Sequence, residues 1–429
     1  MQTNSQHQTP HLTTATTGPL NLLEQEFISK ESDIENWFSH QWNMSPAPVY
    51  GSVDLRNAGF KLAPVDMNLF PAGFNNLNKD FLPLCIEAAR IAITQFSRNA
   101  KKILLIPENH TRNPYYWVNI QTLLDILKKA NFEVQVGSLL ENASDIVLPN
   151  GEKIPLVSVE RSDDRLHIHD FTPDVILLNN DLSDGIPDIL QHLSQPIIPP
   201  AELGWHQRLK SGHFQYYADV ANEFSQLLNI DPWFIAPLFR HCGEVDFMHR
   251  DGQDCLSKNV DRLLKDIQKK YDEYHIQNKP FVIVKADAGT YGMAVMTVRD
   301  VSEILDLNRK QRTQMAKTKG GQPVHSVIVQ EGVYTFETWG ANNSVAEPVV
   351  YLWGQRVVGG FYRVHKERGH DENLNSPGMH FEPLAFQKSC HKPAENTSPG
   401  ECQNRFYTYG VIARLSMLAA AREMLEQKK

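Results

Sequence analysis

The segment FVIVKADAGTYGMAVMTV, residues 281–298, holds the residue pattern most suggestive of chemistry. It predicts a strand that delivers Lys285, a loop containing Gly289 and Gly292, and a second strand. Glycines in a loop between antiparallel strands let backbone N–H groups approach a phosphate closely, and a lysine on the incoming strand adds positive charge. The loop is not of the Walker A kind, because GxxxxGK[ST] is absent. A plain hairpin with a glycine turn and an exposed lysine would read the same way. Further on, SVIVQEGV is an apolar strand ending in Gln330 and Glu331, with Val333 just beyond. A strand end of this type offers backbone and acidic groups to an adenine amino group and a ribose, or carries only solvated polar residues. Next, GGFYRV places Arg363 at the end of a buried strand, facing the Asn/Gly-rich stretch DENLNSPG with Asn373. An arginine so placed suits a carboxylate or the charge developing on a transferred phosphoryl group, unless a local acid takes it.

These residues need elements to position them, and the chain supplies two α/β regions. KKILLIP, FEVQVG, DVILLNND and QPIIPP read as strands, and Ile120, Leu123, Leu124 and Leu127 mark a helix between the first two. A further helix shows Cys85, Ala88, Ala89, Ala92 and Phe96 on one face. Alternating strands and helices with near-continuous apolar strands imply a parallel sheet covered by helices. No GxGxxG follows any strand, which disfavours a dinucleotide fold of the usual kind. From Trp205, helices are marked by Val220, Phe224, Leu227 and Leu228, and by Val260, Leu263, Leu264, Ile267, Tyr271 and Tyr274. EPVVYLWGQRVVGGFYRV is a hairpin turning at Trp353–Gln355. Val411, Leu415, Leu418 and Leu425 give the last helix one apolar face. Before the first region, VYGSVDLRNAGFKLAPVDMNLF predicts two short strands joined at Asn57–Gly59.

Composition sets the class. The 429 residues carry 42 Lys and Arg against 50 Asp and Glu, a net charge of −8, which argues against a nucleic-acid partner. No apolar run approaches the roughly 20 residues that cross a bilayer. The first 20 residues are polar and predict a disordered tail without the features of a secretory signal. Five scattered cysteines fit reduced thiols, so a soluble cytoplasmic enzyme is expected.

Lys285 with its glycine loop, then VQEGV, then GGFYRV and DENLNSPG, follow the order seen in ATP-grasp ligases. The last part resembles the glutathione synthetase arrangement of a strand arginine followed by an Asn-Leu-x-x-Gly-Gly loop; Asn373-Leu374 match, and Pro377-Gly378 stand where two glycines would be. After the tail, nearly the whole chain resembles the proteobacterial glutamate–cysteine ligases. ATP-grasp enzymes place metal ligands after the Asn-rich loop, on strands bearing an Asp and then an acid-x-Asn. Here only a Cys/Pro-containing loop and a helix follow Gly378, whereas Gly51-Ser52-Val53-Asp54 and Val65-Asp66-Met67-Asn68 have that form near the start. The expected architecture is therefore α/β: a parallel-sheet domain (79–204) and an ATP-grasp-like nucleotide-binding domain with a C-terminal helix (205–429). Its order is circularly permuted, with a strand pair (45–78) completing the site. Asp54, Asp66 and Asn68 are hard ligands suited to Mg²⁺ on ATP phosphates, although Asp66 and Asn68 also read as the cap of a turn.

The resemblance implies ATP-dependent joining of the γ-carboxylate of L-glutamate to the amine of L-cysteine through an acyl phosphate, the first step of glutathione biosynthesis. Lys285 and Mg²⁺ would hold the phosphates, Lys210 in RLKSGHF would be a second phosphate lysine, and Arg363 would stabilise the tetrahedral intermediate. Two rivals stay open: another ATP-grasp acid–amine ligation, such as glutathione synthesis, and a non-catalytic nucleotide-binding regulatory protein. Other features point to no site. Cys390-His391 and Cys402 lack a CxxC pair and read as a loop. His167 and His169 alternate on an exposed strand. Tyr115-Tyr116-Trp117 line a cleft or a core, and the basic run Lys310 to Lys319 is a polar loop or a lid.

Overall fold

The computed structural model describes residues 11–12, 19–109, 113–289, 294–317, 321, 323–384 and 405–427. Two helices lead, α1 (Pro19–Ser29) and α2 (Glu31–Met44), followed by the hairpin β1 (Tyr50–Asn57) and β2 (Leu62–Asn68) and by α3 (Leu82–Phe96). The parallel sheet contains β3 (Lys102–Pro107), β4 (Glu133–Ser138), β5 (Val157–Ser158), β6 (Val175–Asn179) and β7 (Ile197–Ile198) in the order β7-β6-β3-β4-β5. Helix α4 (Pro114–Lys129) links β3 to β4; Asn113 caps it by accepting the Tyr115 N–H, and Pro114 opens its first turn. The four strands expected from sequence pair in parallel. The expected alternation with helices breaks after β4, where short hairpins rather than a helix lead to β6. There His167 ends a three-residue strand and His169 has left it, at φ 48°.

Helix α5 (Lys210–Leu228) begins the second region. A four-stranded antiparallel sheet follows, built from β8 (Phe239–Cys242), β9 (Val282–Ala286), β10 (Val295–Val298) and β11 (Val327–Glu331) in the order β8-β11-β9-β10. Helix α6 (Gln253–Glu273) packs on one face of it through Leu256, Val260, Leu263 and Ile267. The basic run expected to be a loop is in part helix α7 (Arg309–Met315), because Asn308 and Gln311 form a reciprocal capping box.

The third sheet, also antiparallel, joins distant parts of the chain. Strands β12 (Glu337–Trp339), β13 (Ser344–Trp353), β14 (Arg356–His365) and β15 (His380–Pro383) pair in sequence, and β1 adds to the other edge of β13 with Asp54 opposite Val349. Strand β2 continues from β1 with Asp66 opposite Asp54. The early hairpin is thus part of the late sheet. Strand β15 adds an edge where the sequence suggested only a loop. His11–Leu12 pair with β12 and α1 starts at Pro19, so the tail reading fails at those residues; 1–10 and 13–18 lie outside the described residues.

One face of this sheet packs on α8 (Arg405–Glu426) through Val53, Leu55, Val350, Leu352 and Val364. The sequence pattern gives α8 one apolar face, but residues 407–421 are buried on every side. Alanines 413, 419, 420 and 421 are buried along with Thr408, Arg414 and Ser416, and Arg414 is paired with Glu35 of α2, as expected of a helix enclosed by other elements. Among the described residues no helix is long and apolar enough to cross a membrane.

Candidate active site

The other face of the third sheet turns toward the four-stranded sheet, and the space between them is a cavity of about 980 Å³. Strand period explains its lining, because alternate residues share a face. Ser52, Asp54 and Arg56 come from β1, Glu347, Val349 and Tyr351 from β13, and Phe361 and Arg363 from β14. The facing sheet contributes Ile283, Lys285, Val295 and Gln330. A third wall is the carboxyl end of the parallel sheet, with Asp181 beyond β6 and Asn113, Tyr115 and Tyr116 beyond β3. That edge is where open α/β sheets take ligands.

Every site residue expected from sequence lines this cavity except Gly292, which lies outside the described residues together with Cys390, His391 and Cys402. Lys285 Nζ donates to Gln330 Oε1 and to the Val65 carbonyl, each at 2.7 Å. Burial lowers its pKa to about 8. Lys210 is the first residue of α5 rather than a residue before it. Its Nζ donates to the Gly289 carbonyl at 2.9 Å, stands 3.5 Å from Asp66 Oδ1 and lies 3.8 Å from the centre of the Trp205 ring. Gly289 holds φ 95°, a conformation that favours glycine.

Two residues missed by the sequence reading organise the acidic wall. Arg363 Nη1 bridges Asp54 Oδ2 at 2.9 Å and Glu347 Oε1 at 2.5 Å. Glu347 in turn accepts from Arg56 Nε at 2.9 Å, and Arg56 also donates to the carbonyls of Val333 and Glu372. Arg56 thereby ties the end of β11 and the Asn373 loop to β1. Its signal was present, since Arg56 stands two residues from Asp54 on one strand. Burial and the carboxylates of Glu347 and Asp66 push the Asp54 pKa up against the pull of Arg363. Burial also works against ionised Asp66, but Lys210 and Lys285 outweigh it and hold its pKa down.

Glu331 departs from expectation. The strand that turns Gln330 to the cavity turns the Glu331 carboxylate to the opposite face. There it accepts from Lys61 Nζ at 2.8 Å, Trp233 Nε1 at 3.1 Å and the Leu238 N–H at 2.8 Å. Its backbone N–H is also taken, donating to the Leu238 carbonyl at 2.7 Å. The adjoining Gly332 is required by packing, since a Cβ there would lie 2.1 Å from the Phe281 ring. Gln330 Nε2 and Arg363 Nε are buried donors with no partner among the described residues.

A divalent metal fits part of the acidic wall. Asp54 and Asp66 face each other across β1 and β2, and a cation between them would relieve their mutual repulsion. Asn68 Oδ1 already accepts the Phe70 N–H at 2.9 Å, leaving one lone pair. Among the described residues no cluster of three or more His, Cys, Asp or Glu could hold a metal by itself. A facing pair of carboxylates such as Asp54 and Asp66 suits Mg²⁺, which takes one or two carboxylates together with substrate phosphates.

The sequence profile of the glutamate–cysteine ligase family matches residues 24–424. The chain belongs to the glutamate–cysteine ligase family. It is an ATP-dependent ligase of the kind that serves glutathione biosynthesis. A crystal structure from Methylobacillus flagellatus KT, provisionally described as a gamma-glutamylcysteine synthetase, shares 54% identity over 98% of this chain and 99% of its own, with a TM-score of 0.89. A glutathione synthetase-like effector from Globodera pallida in apo form shares 10% identity over 85% of this chain and 80% of its own, with a TM-score of 0.36. D-alanyl-alanine synthetase A from Vibrio cholerae O1 shares 10% over 76% and 81%, with a TM-score of 0.33. Neither of these two overlaps is close enough to bear on the fold. No curated protein sequence gives a significant match. A cavity of about 980 Å³ has the volume of a small-molecule site with room for more than one ligand.

Proposed function

We propose that this cavity binds ATP, L-glutamate and L-cysteine and joins the γ-carboxylate of glutamate to the cysteine amine through an acyl phosphate. The observation that carries this reading is the convergence of Lys285 and Lys210 on strand β2, beside Asp66. In the first step a γ-carboxylate oxygen attacks the terminal phosphorus of ATP and ADP leaves. Lys285, Lys210 and the Gly289 backbone hold the phosphates and offset their charge. The free amine of cysteine then attacks the acyl carbon, phosphate departs, and the surplus nitrogen proton leaves with it. Arg363 stabilises the oxyanion of the tetrahedral intermediate, with Glu347 and Asp54 fixing its guanidinium plane. Asn373, on the loop held by Arg56, closes the site over the reacting groups. Gln330 offers its unpartnered Nε2–H to the nucleotide, beside the Val333 backbone.

Asp54, Asp66 and the spare lone pair of Asn68 would hold Mg²⁺, which supplies charge neutralisation at the phosphates. The protein positions and neutralises, so no nucleophilic side chain is needed. The compartment that fits is the cytoplasm, since Cys85, Cys242 and Cys255 are free thiols.

The test is ADP release by the purified protein with Mg²⁺-ATP, measured with each amino acid alone and with both. Release that needs both, with γ-glutamylcysteine identified by mass spectrometry, is expected. ADP release indifferent to cysteine would overturn the choice of amine.

A further inference from the structure

Cys242 and Cys255 stand apart from the cavity, and the ligation does not use them. Cys242 ends β8, the edge strand of the four-stranded sheet, and is 1% exposed in the core shared with α6. Cys255 lies in the first turn of α6 and faces solvent. The two Sγ atoms are 3.2 Å apart, and both thiols are free. A disulfide bond measures about 2.05 Å, so closing one here asks for only about 1 Å of movement. Asn259, one helical turn after Cys255, places its Nδ2 3.7 Å from the Cys255 sulfur and holds that side chain toward Cys242.

The pair is asymmetric in the way a two-step exchange requires. Cys255 is open to a dissolved reagent, and Cys242 is buried beside it. Burial, then the neighbouring Cys255 sulfur, pushes the Cys242 thiol up to about 12, which keeps it from being the first to react. We propose that Cys242 and Cys255 form a dithiol modification site, oxidised to an intramolecular disulfide by small-molecule disulfides of the glutathione class.

In the first exchange Cys255 loses its proton and its thiolate attacks one sulfur of glutathione disulfide. The S–S bond of the reagent breaks and one glutathione thiolate departs. In the second exchange Cys242 gives up its proton, attacks the Cys255 sulfur and expels the other glutathione. The two cysteines are oxidised, one glutathione disulfide is reduced, and the two protons end on two glutathione thiols. The new bond ties β8 to α6 on the face of the sheet opposite the cavity. Because β8 pairs with β11 at Phe239 and Gln330, the tie reaches the strand that carries a cavity residue.

The test treats the folded full-length protein with glutathione disulfide and reads intact mass and cysteine-containing peptides, independently of any ligase activity. The expected product has lost two hydrogens, carries no glutathione, and shows one linked pair of peptides bearing Cys242 and Cys255; glutathione or dithiothreitol reverses it. C242S, lacking the second thiol, should instead accumulate one glutathione on Cys255. C255S should leave Cys242 unmodified. A stable glutathione adduct on Cys255 of the unaltered protein, or linkage of Cys255 to a different cysteine, would overturn the proposal. So would no change in mass under conditions that glutathionylate C242S.

Discussion

Lys285 Nζ lies 2.7 Å from the carbonyl of Val65, a residue 220 positions earlier in the chain. The contact joins the glycine-loop strand to the strand carrying Asp66 and Asn68, which sequence order alone separates by half the molecule. The early hairpin occupies the place beside β13 that puts its two carboxylates opposite the lysines. If Lys285 serves phosphate as well as Val65, K285A should raise the KM for ATP by roughly thirtyfold. That is the loss of about 2 kcal/mol from a charged hydrogen bond. ATP titration at saturating amino acids is the check. A lowered Tm with unchanged KM would make Lys285 only a prop for the strand.

The depressed pKa of Lys285 has a consequence in pH. The ammonium form, the one able to hold a phosphate, predominates in the free enzyme only below about 8. kcat/KM for ATP, which reports the free enzyme, should therefore fall as pH rises through about 8. The K285R variant keeps its charge throughout and should keep kcat/KM level over that range. A wild-type profile flat to about pH 10, near the ordinary lysine value, would remove Lys285 from the phosphate site.

Much of this site was legible because it is written on strands. Lys285, Gln330, Asp54, Asp66 and Arg363 each end or interrupt an apolar run, and alternation assigns them a face. What stayed hidden depends on register between distant strands. Nothing in EPVV says that Glu347 will stand opposite Arg363, or that Arg56 will reach the Val333 carbonyl. Glu331 misled because adjacent strand residues point to opposite faces, so the side chains of Gln330 and Glu331 could not both turn to the cavity they line. The leading helices α1 and α2 give no chemical signal. Helix α8 reads as one-faced because sequence periodicity cannot show that its small residues are covered as well.

Removing charge from the Glu331 carboxylate tests that correction. In E331Q the Lys61 ammonium, 1% exposed on its side chain, loses its anionic partner. Stripping a buried ion of its partner costs about 3–5 kcal/mol. Denaturant unfolding should show a loss of that order, while the KM for ATP at low temperature stays within about twofold of wild type. A tenfold KM change without loss of stability would return Glu331 to the nucleotide site.

Asp66 should answer to metal. If it shares Mg²⁺ with Asp54, D66N removes one of the carboxylates that one or two protein ligands normally supply. The Mg²⁺ concentration for half-maximal rate should rise at least about tenfold, with partial recovery at high Mg²⁺. A changed KM for glutamate with unchanged Mg²⁺ dependence would assign Asp66 to an amino acid instead.

Acid should unfasten β2 through a residue outside the cavity lining. Arg208 is gripped by Glu423 of α8 through Nε–Oε1 at 2.9 Å and Nη2–Oε2 at 3.0 Å, and its Nη1 donates to the Met67 carbonyl, between Asp66 and Asn68. Burial pushes the Glu423 pKa up, but Arg208 and His213 overcome it and bring it down to about 2. A carboxylate whose pKa is lower folded than unfolded stabilises the fold above its unfolded value of 4.5. That contribution, on the order of 3 kcal/mol, drains away as pH falls from about 4.5 toward 2. His213, held neutral by burial, adds loss of the same sign below its ordinary value. Urea unfolding at neutral pH and near pH 3 should thus show a steep fall for the wild type. E423Q should be less stable at neutral pH and markedly flatter between the two. Parallel curves for the two proteins would mean that the Arg208–Glu423 pair does not fasten α8 to β2.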